Sequence, residues 1–172
     1  MKATRTSGRV CAAVFMIALV GCVAPGTSGT QSFQSPYLNA RDALEKGNYR
    51  NALRLYSGLL ERAGPLNKRI QLELAHVHLR SGAFADAARG SWALAESTTG
   101  TDRSAALSVY ATAAHEMGLG LLAEGKIAKG AEHLTSAQKA FDEVLRNDPQ
   151  LDPLGSLTGR KASIEARLKN LG

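Results

Sequence analysis

The chain has two cysteines in 172 residues, and both, Cys11 and Cys22, fall within the first 22. Everything beyond them lacks a disulfide, a thiol nucleophile and a cysteine metal site. Long apolar runs are also missing. The longest, residues 10–20 (VCAAVFMIALV), is shorter than the roughly 20 residues a bilayer-spanning helix needs. No apolar–polar alternation persists long enough to make a strand. Strong charge of one sign is absent as well. The formal +6 includes Lys2, Arg5 and Arg9, and without them the balance falls to +3. A balance that mild does not argue for nucleic acid, which wants a concentrated basic face or stripe.

What is present begins at the N-terminus. Residues 1–9 carry three cations and no acid, and the apolar run follows at once. A basic start, a short apolar core and small residues at its end make a secretory signal. A buried soluble helix would show a polar face, and this run shows none. The run ends in Leu19-Val20-Gly21-Cys22, which resembles the lipobox of bacterial lipoproteins. The resemblance implies a signal peptide over residues 1–21, cleavage before Cys22, a diacylglycerol thioether on its sulfur and a further acyl chain on its new amino group. Several acyl chains anchor firmly where one is marginal. Val23 is not the aspartate that favours the inner membrane, so the expected location is the outer membrane, facing the periplasm. Residues 22–35, rich in Gly, Ser, Thr, Gln and Pro, are expected to form the lipidated end and a flexible tether. Its 13 residues after the cysteine would reach about 45 Å at full stretch.

From Tyr37 onward alanine and leucine recur at three- and four-residue spacings, so the chain is expected to be all-α. The pattern predicts helices over 37–46, 50–63, 67–81, 84–98, 102–124, 127–147 and 157–170. Gly47, Gly82 and Gly125 stand where helices end in a left-handed residue. Pro65 and Asn147-Asp148-Pro149 stop two others, and Thr101 or Asp102 is placed to cap the fifth.

Three segments repeat. LEKGNYRNALRLYSGLL (44–60) and LRSGAFADAARGSWALA (79–95) share Leu-x-x-Gly-x-aromatic-x-x-Ala, and LAEGKIAKGAEHLTSAQ (122–138) is a third copy with Ile127 and Gly130 in place of the aromatic and the alanine. The segments resemble tetratricopeptide (TPR) repeats, a family of stacked helix-turn-helix pairs. The match rests on Gly47, Tyr49, Ala52 and Tyr56; on Leu74, Ala75, Gly82, Phe84 and Ala87; and on Met117, Gly118, Leu121, Gly125, Leu134 and Ala137. His78 and Asn39 depart from the family pattern. The third glycine follows the second by 43 residues where the first step is 35, which implies longer helices. The resemblance implies a short solenoid over 36–149, with 150–172 as linker and capping helix. In that helix Ile164, Leu168 and Leu171 make an apolar stripe, and Arg160, Lys161, Glu165, Arg167 and Lys169 are expected to face water.

Catalytic constellations are not visible. His115-Glu116 begins like a zinc-protease helix, but Leu119 stands where the second histidine belongs. His76 and His78 lie about 200° apart around a helix and cannot share a metal from it. His133 is isolated, and Asp142-Glu143 reads as a solvated face. Gly118-x-Gly120 has no preceding strand to make a nucleotide loop and suits close helix packing instead. Trp92 and Tyr110 read as packing residues. The expectation is a protein without catalytic residues, metal or cofactor, apart from the lipid on Cys22.

The resemblance implies a concave groove for a protein or peptide partner, lined by Tyr37, Arg41, Leu44, Arg69, Leu72, His76, Arg80, His115, Leu119 and Leu122. Its arginines suit a carboxylate terminus or an acidic segment, because the guanidinium fork makes charge-assisted bonds. The expected role is an envelope adaptor for assembly or localisation of a pilus or secretion machine, pilotin-like, with Tad-type pili included. The alternatives are an adaptor for cell-wall enzymes or outer-membrane protein assembly, and a small-molecule or enzymatic helical domain. Three repeats are close to the minimum for a stable solenoid, so a homodimer through an open end is a further expectation.

Cys22→Ala should release the protein from membranes while residues 36–172 still fold. Membrane fractionation checks this, and retention of the variant would sink the lipoprotein reading.

Overall fold

A computed structural model describes residues 28–171, with side chains from residue 33. The signal segment, the lipobox and Cys22 lie outside the described residues. Within them the chain is all-α: α1 (Ser28–Glu45), α2 (Tyr49–Leu60), α3 (Asn67–Arg80), α4 (Phe84–Glu96), α5 (Gly100–Ala123), α6 (Ile127–Asn147) and α7 (Ser156–Lys169). Two single turns of 3-10 helix, 64–66 and 149–151, bridge the joints into α3 and α7. No described helix is long and apolar enough to cross a membrane.

The helices pair as α1 with α2, α3 with α4, and α5 with α6, and consecutive pairs stack through α2 on α3 and α4 on α5. α7 closes the stack on α6. This is a short solenoid of helix-turn-helix repeats with a capping helix. Each hairpin turns at a glycine in the left-handed region, Gly47 at φ 74°, Gly82 at 79° and Gly125 at 74°, where a Cβ would clash with the backbone. α2 is capped by Asn48, whose side chain accepts from the Asn51 N–H at 3.3 Å. α7 is capped by Asp152, which accepts from the N–H groups of Leu157 and Thr158.

Each pair crosses where two small residues sit twelve positions apart. The first pair has Ala40 and Ala52, the second Ala75 and Ala87, all buried. The third has Gly118 and Gly130, and here the helices touch backbone to side chain. A Cβ on Gly118 would lie 2.8 Å from Leu134 Cδ2, and one on Gly130 only 2.6 Å from Leu122 Cδ2. Each would also come within 3.1 Å of the other glycine's carbonyl oxygen. Helices of 24 and 21 residues, against 14 and 13 in the second pair, account for the longer spacing of the third copy.

Two buried clusters form the core. One gathers Ala40, Leu44, Ala52, Tyr56, Leu59, Ile70 and Val77 from α1–α3. The other runs from Leu94 on α4 to Ile164 on α7 and includes Leu107, Leu134, Phe141 and Val144.

Four expectations need correction. Residues 28–35 belong to α1 and not to a tether, with Pro36 inside the helix. Phe33 packs on the first core cluster beside Tyr37, and the stripe 33, 37, 40, 44 gives the extension a face to bury in spite of its Gly- and Ser-rich composition. Neither Thr101 nor Asp102 caps α5, which starts earlier, after Thr99. Thr101 donates instead to one oxygen of Asp148 at 2.8 Å, and Ser104 donates to the other, so the end of α6 is tied to the start of α5. Arg160 and Lys161 do not simply face water: Arg160 bonds Glu116 and Lys161 bonds Asp142. Finally, Leu171 is 37 % exposed and leaves Ile164 and Leu168 to seat the cap.

Gly130→Ala should destabilise the fold by about 1–3 kcal/mol through overpacking, although alanine occupies the same position in the other two pairs. Gly58→Ala should have the opposite sign, a gain of about 0.5–1 kcal/mol. A Cβ at Gly58, inside α2, meets nothing within 4 Å. Urea denaturation of both variants checks the pair, and stabilisation by Gly130→Ala would contradict the tight crossing.

Candidate functional site

α1 and α3, the first helices of two successive pairs, enclose a cavity of about 310 Å³. Six of the ten expected groove residues line it: Arg41, Leu44, Arg69, Leu72, His76 and Arg80. They come together because positions 41 and 44 share one face of α1, while 69, 72, 76 and 80 recur at three and four residues along α3. Tyr37 sits at the edge of this group, and its hydroxyl donates to Glu73 at 2.9 Å.

Two acids absent from the expected set, Glu45 and Glu73, also line the cavity. Glu73 is only 4 % exposed. It accepts from Tyr37 and from Arg69, whose Nη2 stands 2.8 Å away. The bond from Tyr37 crosses from the first pair to the second, so Glu73 ties the two repeats together. Arg41 is held by Glu45 at 2.8 Å across one turn of α1, and that bond raises its pKa further above the usual range. The i, i+4 spacing of both ion pairs, 41–45 and 69–73, was the available signal for them.

These pairs change the electrostatics expected of the groove. Two of the three arginines face carboxylates, and Arg80 has none among the described residues. His76 is held below its ordinary pKa, first by burial and then by Arg69, Arg41 and Arg80 against the pull of Glu73. It is therefore neutral at pH 7, and the cavity carries a single uncompensated positive charge. Below it Tyr37 and Tyr56 meet edge to face, with centroids 6.0 Å apart and planes at 73°. Tyr56 is fully buried and its hydroxyl has no partner among the described residues. Burial, then the Glu73 charge, raises its pKa.

The remaining three expected residues do not join this cavity. His115 is 5 % exposed, with Nδ1 facing Arg160 of α7 at 3.3 Å. Leu119 and Leu122 pack on the second core cluster, and Leu122 covers Gly130. The long α5–α6 hairpin and the cap use these positions for packing, which removes them from a continuous groove. His76 lines the α1–α3 cavity while His78 lines a separate cleft between α3 and α4, in keeping with their opposite faces.

The tetratricopeptide repeat family model matches residues 37–97, which are the second half of α1 together with α2, α3 and α4 and therefore the two pairs that build the cavity. Repeats of this family serve protein–protein interaction, and the match supports that role here. No curated protein and no solved structure matches the chain.

His76 and His115 both sit below the ordinary value of 6.5, His115 through burial first and then the Arg160 charge. A histidine whose folded pKa lies below its unfolded one contributes stability at neutral pH. That contribution is lost as pH falls through the unfolded value toward the folded one. The melting temperature should therefore drop between about pH 7.5 and pH 5.5, and His115→Gln should flatten part of the drop. An identical slope in the variant would exclude His115 as a cause.

Proposed function

We propose that the protein is a lipid-anchored, periplasm-facing adaptor without catalysis of its own, and that the α1–α3 cavity takes a segment of a protein partner. The observation that carries this reading is the cavity itself: two repeats matched by an interaction family converge Leu44, Leu72 and three arginines on one concavity. Arg80, left without a carboxylate among the described residues, is the expected contact for an acidic side chain or a chain terminus of the partner, by a charge-assisted bond. Leu44 and Leu72 supply the apolar surface beside it. The pairs at Arg41 and Arg69 hold the rim in shape, so little side-chain ordering remains to be done on binding.

The anchor is proposed on the Leu19-Val20-Gly21-Cys22 resemblance, and the outer membrane on Val23. Assistance to a pilus or secretion machine, pilotin-like and including the Tad type, is proposed on the resemblance to small TPR lipoproteins alone.

A photo-crosslinking residue at Leu72, half-buried in the cavity, should capture one dominant envelope protein in cells. The same residue at Lys169, exposed on α7, should not. Mass spectrometry identifies the capture, and equal capture from both positions would remove the groove reading.

A further inference from the structure

Trp92 is the chain's only tryptophan, and it stands 41 % exposed on α4. The repeat register shows that the fold does not call for it. The step of 35 residues that relates Gly47 to Gly82 relates Ser57 to Trp92, and the step of 43 that relates Gly82 to Gly125 relates Trp92 to Thr135. Two repeats thus fill this place with a small hydroxyl residue, exposed at Ser57 and half-buried at Thr135. A large aromatic where packing needs only a small polar side chain is a typical interface anchor, since tryptophan and tyrosine dominate binding hot spots.

Trp92 is also part of a formed cavity. Its ring lies 4.9 Å from that of Tyr110 on α5, inclined by 49°. The two rings border a space of about 180 Å³ that Leu107 also lines. The α6 side presents Ser136, Lys139, Ala140 and Glu143, one face of that helix by their three- and four-residue spacing. The charge at the rim is equally defined. Glu143 is occupied by Arg103, with Nε at 2.7 Å from one oxygen and Nη2 at 3.4 Å from the other. Lys139 is exposed, and no carboxylate pairs with it among the described residues.

We propose that this cavity is a second docking site, which takes one aromatic side chain of a protein partner whose neighbouring residue is an aspartate or glutamate. The incoming ring packs against Trp92 and Tyr110 in tilted or edge-on contact, as aromatic pairs prefer. Its neighbouring carboxylate meets the Lys139 ammonium. A space of this size admits one ring and excludes a helix. The site shares no lining residue with the α1–α3 cavity, so the adaptor holds two segments by separate chemistries.

Selection of 12-residue peptides displayed on phage against the full chain tests this, with Trp92→Ser, Lys139→Glu and Arg80→Glu variants as comparisons. Peptides enriched on the wild type and lost on Trp92→Ser should carry an aromatic residue beside an acid. For such a peptide, labelled for anisotropy, Trp92→Ser should weaken binding by about thirtyfold, the scale of a hot spot. Lys139→Glu should weaken it by about fivefold, the upper range of an exposed ion pair. Arg80→Glu should leave it unchanged. An empty selection, enriched peptides without acids, indifference to Trp92, or loss on Arg80→Glu would each overturn the proposal. Trp92→Ser restores the residue type of the first repeat and should melt like the wild type. If it melts early, the Lys139→Glu measurement decides alone, and unchanged affinity there overturns the proposal.

Discussion

Every helix pair in this protein depends on a close crossing between two small residues twelve positions apart. Ala40 and Ala52, Ala75 and Ala87, and Gly118 and Gly130 are the places where larger side chains would hold the helices apart. Dispersion is short-ranged, so a small increase in separation forfeits much of it along the whole contact. The third crossing leaves no room for a Cβ on either glycine. It has to align helices of 24 and 21 residues, and the leucines that would clash with a Cβ, Leu122 and Leu134, are themselves part of its packing. The glycine turns at 47, 82 and 125 set the register in which these crossings form.

Stacking of the pairs then creates the two proposed docking concavities. The first lies between α1 and α3, where the bond from Tyr37 to Glu73 joins successive repeats and buries a carboxylate with an arginine beside it. Such an arrangement is tolerable because the charge is paired and hydrogen-bonded; a lone buried carboxylate would be costly. It also leaves the cavity far less cationic than its three arginines imply. The second concavity opens over α5 between α4 and α6, with an exposed indole in place of the small residues of its sister repeats.

The end of the solenoid follows a different logic from its beginning. α7 has one fully buried side chain, Ile164, and holds to α5 and α6 through polar ties at its edge: Arg160 with Glu116 and His115, Lys161 with Asp142, and Gln138 with Glu165. Because α7 meets His115 from the far side, the third repeat has no groove position left at that residue. At the other end, α1 gains length through Phe33, which finds apolar cover on the first core cluster.

The sequence by itself determined the helices, their turns and their pairing. The apolar spacing of three and four, the left-handed glycines and the small residues at crossings are local properties of the chain, and they place six of the seven described helices within three residues of their observed bounds, α1 starting nine residues earlier than expected. Six of the ten residues that the repeat resemblance implies for a groove line the first cavity, because residues one turn apart on α1 and α3 share a face. Only the tertiary structure decided which of those side chains remain available. Glu73 is legible as a partner of Arg69 at i, i+4, yet its bond to Tyr37 spans 36 residues and depends on how two pairs stack. The burial of His115 under α7, the pairing of Arg160, the tie from Thr101 to Asp148 and the helical state of residues 28–35 likewise depend on contacts between distant segments. Periodicity assigns a face to a helix; what covers that face is set by the neighbour that packs against it.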